Sequence, residues 1–541
     1  MTQSADTVLK GGRIWCGKQE GFVEAIAIKG GKVLATGSEA EIMALSGSTT
    51  QLIELAGKLA IPGLNDAHTH LAQIGLHLRD IDARPSEVDS IAEICARIGE
   101  RAAKSAPGIW IAARGYDETK TPEKRHPTRE ELDRVAPDNP VFVARTCGHV
   151  GVANSAALAL ANISESSPEP SDGVIGRDDG KLNGFLAENA RFPLFEIMPK
   201  PDLDDYVKAI EAAGHILLSY GITSTMDAAV GMNDGWLELQ GFRAASEAGR
   251  LPVRLTACLI ADKEKSILDQ AIAEGLKTGE GDDMLRIGPA KFFTDGSASS
   301  GTAAMTEPYL HVGGHGVMCI TEEECLDLAR KAHSNGFQMA IHAIGDVAID
   351  MILDAFETVQ AEMPVADIRH RVEHCGWVRP EQIERLVALN VIPSPQLNFI
   401  YFHGENYLRA MGLERTGKSH PMRRFIDAGL HVPASTDCPS APLSPFEVIY
   451  GMVARKSWKG TLLGADEATS MAEALHAYTY ESAYAAHDEE RKGRLVPGQY
   501  ADIAVMSCDL FTIDHEDILK TECVMTLRGG KVVFERETTE A

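Results

Sequence analysis

A chain of 541 residues is longer than one core sustains, since single cores rarely grow past about 250 to 300 residues, so it predicts a large domain with smaller companions. With 44% hydrophobic and 24% charged residues, and no apolar run near the roughly 18 residues that cross a bilayer, the composition is globular and excludes a membrane. A formal net charge of −26 repels phosphate backbones and anionic lipid, which excludes nucleic acid as a partner.

The start, MTQSADTVLKGG, lacks the basic and apolar regions of a signal peptide. Ten cysteines without a CxxC pair suit reduced thiols, so the expected location is cytoplasmic. TVLKGGRIW (7–15) and AIKGGKVLATG (27–37) place Gly-Gly and a basic residue between short β-branched runs, as tight hairpins do. TLRGGKVVFE (526–535) repeats the pattern at the other end, and GKLAIPGL (57–64) has a counterpart in GRLVPGQYADIAV (493–505). Residues 1–60 and 487–541 are therefore expected to form one composite β-sandwich domain, with 61–486 inserted between its halves.

Within 61–486, short apolar runs alternate with helical stretches, the pattern of parallel strands joined by crossover helices. The candidate strands are KLAIPGLNDAH (58–68), PVFVARTCGH (140–149), YGITSTMDA (220–228), RIGPAKFFTDG (286–296), FQMAIHAIG (337–345), IRHRVEHC (368–375), NVIPSPQLN (390–398) and HVPASTDCP (431–439). Eight such runs predict an α/β fold, a distorted TIM (β/α)8 barrel. TEEECLDLARKAHSNG (321–336) reads as one of its helices, acidic in the first turn and ending at Asn-Gly. The stretch 76–139 is longer than one crossover needs and is expected to be an insertion, with a helix over 91–104 and a strand over 109–118.

Barrel active sites form at the carboxyl ends of the strands, and there the runs carry polar residues. His68 and His70 close the first run, Lys291 lies in the fourth, His342 in the fifth, His374 in the sixth and Asp437 at the end of the eighth. A strand has a period of two, so His68 and His70 face one side and Thr69 the other. HxH on a strand end is a two-toothed metal clamp.

The segments PGLNDAHTHL, CGHVGVANSAAL, GITSTMDA, KFFTDGSASSGTAAM, AIHAIGD, RVEHC, STDCP and GRLVPGQYADIAV resemble, in that order, the amidohydrolase superfamily. Within it they are most similar to the YtcJ-like metal-dependent hydrolases of amidohydrolase family 3, among which are N-substituted formamide deformylases. The resemblance implies a split β domain around a distorted (β/α)8 barrel that binds one or two divalent metals, zinc by default. By that resemblance His68, His70 and Asp437 hold the more buried metal and His342 and His374 the second, giving a binuclear centre with two Zn2+. Lys291 matches the lysine that bridges both after carboxylation by carbon dioxide. An ammonium has no lone pair, whereas a carbamate offers two oxygens to two cations. Glu188 is the alternative bridge.

Such a centre implies a hydrolase that cleaves an amide-type C–N bond, N-acyl, N-formyl or cyclic, in a small-molecule substrate. A metal-activated hydroxide attacks the carbonyl carbon, and Asp437 moves the proton from the nucleophile to the leaving nitrogen. His149, after the second run, is placed to donate to the substrate carbonyl, and Asn154, Glu188, Arg145, Arg371 and Trp377 are expected around the substrate. Self-association into a homo-oligomer stays open. Two other readings remain. A mononuclear deaminase of a heterocycle usually lacks the bridging lysine and carries a glutamate shortly after the fifth-strand histidine, where this chain has Asp346. An inactive assembly or regulatory relative typically loses metal ligands, and here every expected position is filled.

Overall fold

The computed structural model describes residues 4–84, 87–118, 120–145, 150–170, 173–263 and 265–537. Its central sheet runs in strict chain order and entirely parallel: β1 (Leu64–Thr69), β2 (Ile222–Val230), β3 (Arg254–Ile260), β4 (Leu285–Phe293), β5 (Met339–Ala343), β6 (Arg371–His374) and β7 (Ile392–Ser394). β1, β2 and β3 are buried along their whole length, as parallel strands covered on both faces are. The helix expected over 321–336 spans Glu322–Ser334, and the Thr321 hydroxyl caps it by accepting from the Glu324 N–H.

The eighth position of the barrel is an extended segment, not a regular strand. Its backbone bonds to β1, Ala67 N–H to the Ala434 carbonyl at 3.1 Å and Asp437 N–H to the His68 carbonyl at 2.8 Å. Toward β7 the links are side chains: the Gln396 amide donates to Ser435 Oγ and the Asn398 amide to the Thr436 carbonyl. Pro393, Pro395 and Pro433 remove the donors a ladder would need there, so amide side chains close the barrel instead.

One expected strand belongs elsewhere. PVFVARTCGH was read as the second barrel strand, but Val141–Arg145 lies in a separate six-stranded sheet, and the barrel instead takes RLTACLI as β3. Both are short buried runs, and a period or an apolar run identifies a strand without naming its sheet. The insertion is accordingly longer than expected. Gly75–Asp205 is a compact unit whose sheet runs Gly173–Asp178, Lys181–Glu188, Val150–Ala153, Val141–Arg145, Ile111–Tyr116, Ile81–Asp82. Its core includes Ile91, Ile94 and Ile98 from a helix at Ile91–Ala103, packed with Ile111, Val141 and Val143.

The two chain ends build one sandwich. A four-stranded sheet comes from the first 54 residues, and a six-stranded sheet joins Leu59–Pro62 to Ile503–Met506 in antiparallel register, Ile503 opposite Pro62. Leu9, Ile26 and Ile28 of one sheet meet Ile14, Ile503, Val505 and Leu527 of the other. The hairpin turns at Gly30-Gly31 and Gly529-Gly530 have positive φ at both glycines, whereas Gly11-Gly12, expected as a third hairpin, instead carries the chain from one sheet of the sandwich to the other, with positive φ at Gly11 alone. Gly63 carries the chain from this sandwich into β1, where a Cβ would sit 2.2 Å from Thr223 Oγ1 on β2. Among the described residues no helix is long and apolar enough to cross a membrane.

Candidate metal centre

The alternation along β1 sends His68 and His70 to one side, while Thr69 turns away to bond Thr225 Oγ1 at 2.7 Å. Asp437 meets them from the eighth segment, its Oδ1 3.1 Å from His70 Nε2 and 3.5 Å from His68 Nε2. Its backbone is left-handed, with φ 55°, a conformation that non-glycine residues keep only where the surroundings impose it. Among the described residues, His68, His70 and Asp437 are the one group of three or more such side chains whose ligand atoms lie within 4.8 Å of one another.

His342 and His374 stand beside them. Their rings are 4.4 Å apart and His374 is 5.2 Å from the His68 ring. His374 Nδ1 lies 2.6 Å from Gln396 Oε1, so Nδ1–H donates and Nε2 keeps its lone pair. His342 Nε2 lies 3.1 Å from the Gly296 carbonyl, which leaves Nδ1 as its lone-pair nitrogen. Lys291, on β4, is wholly buried and its Nζ has no hydrogen-bond partner among the described residues. The Phe293 ring lies under it, 4.8 Å away.

The electrostatics suit ligands. Burial, then the Lys291 charge, pulls His68 down to about 4, and burial with His342 pulls His374 well below its ordinary value, so both are neutral. Burial alone would raise Asp437, but the hydrogen bond from His70 and the nearby imidazoles outweigh it and hold the carboxylate ionised. Burial likewise lowers the Lys291 ammonium. Imidazole and carboxylate donors with one orphaned buried amine fit a divalent metal site of zinc type.

The residues that brace this site were not assigned that role from the sequence. Glu373 is fully buried on β6, with Oε2 2.5 Å from His68 Nδ1. Arg371, expected near the substrate, braces it instead: it is 1% exposed and donates to Glu373 at 2.7 Å, the Ala67 carbonyl and Ser394 Oγ. An Arg and a Glu two apart on a buried strand share one face, a signal present in RVEH. Asp66 ties β1 to the eighth segment by accepting from Thr436 N–H and Oγ1 and from Tyr478. Asp295 accepts from the N–H groups of Ala304, Ile344 and Gly345 and so fixes the loops beyond β4 and β5. Asp346 bonds Thr306 N–H and Arg379.

The remaining expected contacts separate. Trp377 follows β6 and is 8% exposed. Asn154 lies in the 75–205 unit, where it is fully buried: Oδ1 accepts from Val141 and Ala157 N–H, and Nδ2 donates to the Ala136 and Asn139 carbonyls. A side chain so engaged caps a helix and leaves nothing for a substrate, which corrects its expected role. In the same unit Arg145 pairs with Glu118 at 2.6 Å, and Glu188 is exposed at the end of its strand. His149 lies outside the described residues.

This architecture has known counterparts. The amidohydrolase family matches residues 51–534. The chain is 30% identical over 524 residues to the N-substituted formamide deformylase of Arthrobacter pascens, covering 95% of each. It is 29% identical over 536 residues to the YtcJ protein of Bacillus subtilis, covering 97% of this chain and 99% of that one. The fold matches a metal-dependent hydrolase from Pyrococcus horikoshii with a TM-score of 0.77 at 30% identity, over 94% of this chain and 99% of that one. A parallel barrel that gathers histidines and an aspartate at its strand ends, with this likeness along nearly its whole length, belongs to the amidohydrolase family, and the protein is a metal-dependent hydrolase.

Proposed function

We propose that the protein hydrolyses an amide-type C–N bond of a small molecule at a binuclear centre, with N-substituted formamides as the leading substrate class. The observation that carries this reading is Lys291, a buried amine with no hydrogen-bond partner among the described residues, on the strand between the two groups of histidines. Attack of the Nζ lone pair on carbon dioxide forms an N–C bond and releases a proton, and the resulting carbamate has two oxygens for two cations. His68, His70 and Asp437 would hold one metal, and His342 and His374 the other. Divalent metals in these positions supply Lewis acidity toward the substrate carbonyl and a water acidified to near neutral pH.

Asp437 is ionised and hydrogen-bonded to His70, so it can take a proton from the attacking water at Oδ1 or Oδ2. The same carboxyl returns that proton to the leaving nitrogen, and the C–N bond breaks to a carboxylate, formate for a formamide, and an amine. The name of the Arthrobacter pascens relative supports formamides as the first class to try. The test is a screen of formamides, N-acyl amino acids, cyclic amides and carbamates against metal-loaded protein, reading amine and carboxylate release. Amine release from a formamide is the expected result, and ammonia released from a heterocycle would assign deamination instead.

A further inference from the structure

Beyond β6 and β7 stands a set of rings that metal binding leaves unused. Trp377 follows β6, Phe399, His403 and Tyr407 follow β7, and His420 precedes the helix Met422–Asp427. Phe399 stacks on His374 with centroids 6.3 Å apart and meets His420 edge-on at 6.1 Å. Trp377 meets Tyr407 edge-on at 5.0 Å and His420 at 5.6 Å, and Tyr407 stacks on His420 at 5.9 Å. The rings make one continuous wall that starts at a metal-ligand candidate and lies at the carboxyl end of the barrel, where substrates bind.

Two polar atoms in this wall, Trp377 Nε1 and His420 Nδ1, are buried without a hydrogen-bond partner among the described residues. Their side chains belong to residues only 8% and 1% exposed. The great majority of buried polar groups in native structures are paired, so two orphaned atoms side by side call for a partner that completes them. The wall is also uncharged. Burial, with the Arg455 charge and His403, pulls His420 down to about 3, burial pulls His403 down to about 4, and burial keeps the Tyr407 hydroxyl protonated. The cation behind His420, Arg455, already donates to the carbonyls of Leu463, His420, Gly417 and Ser419. An anion placed against these rings would be buried without a counter-charge, which is costly, whereas a neutral acceptor meets a waiting N–H.

We infer that Trp377, Tyr407 and His420 form a specificity pocket for a flat, uncharged portion of the substrate that carries a hydrogen-bond acceptor, with Trp377 Nε1–H as the group that reads it. The inference deepens the amide-hydrolase reading, on which it rests for the position of the scissile bond. Trp377 and His420 are specificity residues and take no part in bond breaking. A site built to donate to a substrate acceptor discriminates strongly against the isostere that lacks one, because its own donor is then left unpaired.

The test is calorimetric binding of three hydrolysis-resistant probes to the metal-loaded, full-length protein: N-benzylmethanesulfonamide, its pyridin-4-ylmethyl counterpart and its 4-carboxybenzyl counterpart. The pyridyl probe is expected to bind about 10-fold or more tighter than the benzyl probe, with the carboxylate weakest. Trp377→Phe keeps a ring and drops the N–H, and His420→Phe removes the second polar atom. In protein that still takes up wild-type amounts of metal, Trp377→Phe is expected to bring the pyridyl-to-benzyl ratio near one, whereas His420→Phe, which keeps the Trp377 N–H, is expected to lower the ratio without bringing it to one. Equal binding of pyridyl and benzyl probes by the wild type, a ratio retained in Trp377→Phe, tightest binding of the carboxylate, or no binding of any probe would each overturn the pocket. Discrimination among probes without hydrolysis of any formamide would overturn the amide reading and leave the pocket standing.

Discussion

His68 Nδ1 lies 2.5 Å from Glu373 Oε2, and this contact decides which nitrogen of His68 is left free to ligate. Burial would raise the Glu373 carboxyl, but Arg371 and His68 outweigh it and keep Glu373 ionised. Nδ1 therefore carries the proton, and Nε2 turns its lone pair toward Asp437. His374 is oriented in the same way by a neutral acceptor, Gln396 Oε1 at 2.6 Å. One ligand candidate is thus braced by an anion locked to an arginine, the other by an amide, and outer partners of this kind tune ligand basicity.

Glu373→Gln should weaken metal binding by about 10- to 100-fold, because the amide holds His68 with less charge and can present its NH2 to Nδ1. The change also leaves Arg371 buried without its carboxylate, so a lower melting temperature is expected alongside. Competition against a chelator, followed by metal analysis, measures the first effect. Wild-type affinity in the variant would remove the assigned role of the contact.

Asp437→Asn tests the proton carrier. The amide keeps an oxygen that can ligate and loses the capacity to accept a proton, so much of the metal should remain while turnover falls by about 100-fold or more. Steady-state rates on whichever amide the screen identifies, with metal content measured on the same preparation, separate the two effects. Near-normal turnover would show that another group moves the proton.

The sequence made the candidate metal centre legible because most of its residues close strands, where a period of two and a terminal histidine or aspartate are local features. His68, His70 and Asp437 meet as expected, and His342, His374 and Lys291 lie on neighbouring strands. What stayed hidden depends on contacts between distant segments. RLTACLI and PVFVARTCGH are equally good strands, and only the sheet they join distinguishes β3 from a strand of the insertion. Arg371 looked like a substrate contact because a charged residue on a barrel strand suggests the site, yet its partners are Glu373, Ala67 and Ser394, beneath it. Asn154 looked like a binding amide, and its four hydrogen bonds to neighbouring backbone become visible only once the turn around it is folded.

Glu447 gives a pH dependence away from the metals. It lies in the helix Pro445–Val453, its Oε2 is buried without a partner among the described residues, and burial alone pushes its carboxyl up to about 7. The folded chain then holds a proton that the unfolded chain has lost from about pH 4.5 upward, so this group makes stability fall as pH rises from there to about 7, and adds no slope beyond. Glu447→Gln should flatten that part of the stability profile and stabilise the protein at pH 8 more than at pH 5. Thermal melts of both proteins across pH 4.5 to 8 measure it, and parallel profiles would place the carboxyl at an ordinary value.

Lys291→Met should act in opposite directions on the metal-free and metal-loaded protein. Without metal, Lys291 buries an amine that no side chain or carbonyl among the described residues satisfies, and an unbranched thioether of similar length removes that cost, so the metal-free variant should melt higher than the metal-free wild type. With metal, the variant lacks the proposed bridge between the two groups of histidines. His68, His70 and Asp437 still converge, whereas His342 and His374 are left as two imidazoles, so metal content should fall from about two per chain to about one. Carbon-13 spectra recorded with labelled carbon dioxide should show a carbamate resonance in the wild type that the variant lacks. A wild type that binds a single metal and shows no such resonance would mean that Lys291 is an uncarboxylated structural residue. In that case the hydrolase would operate with the His68, His70 and Asp437 site alone.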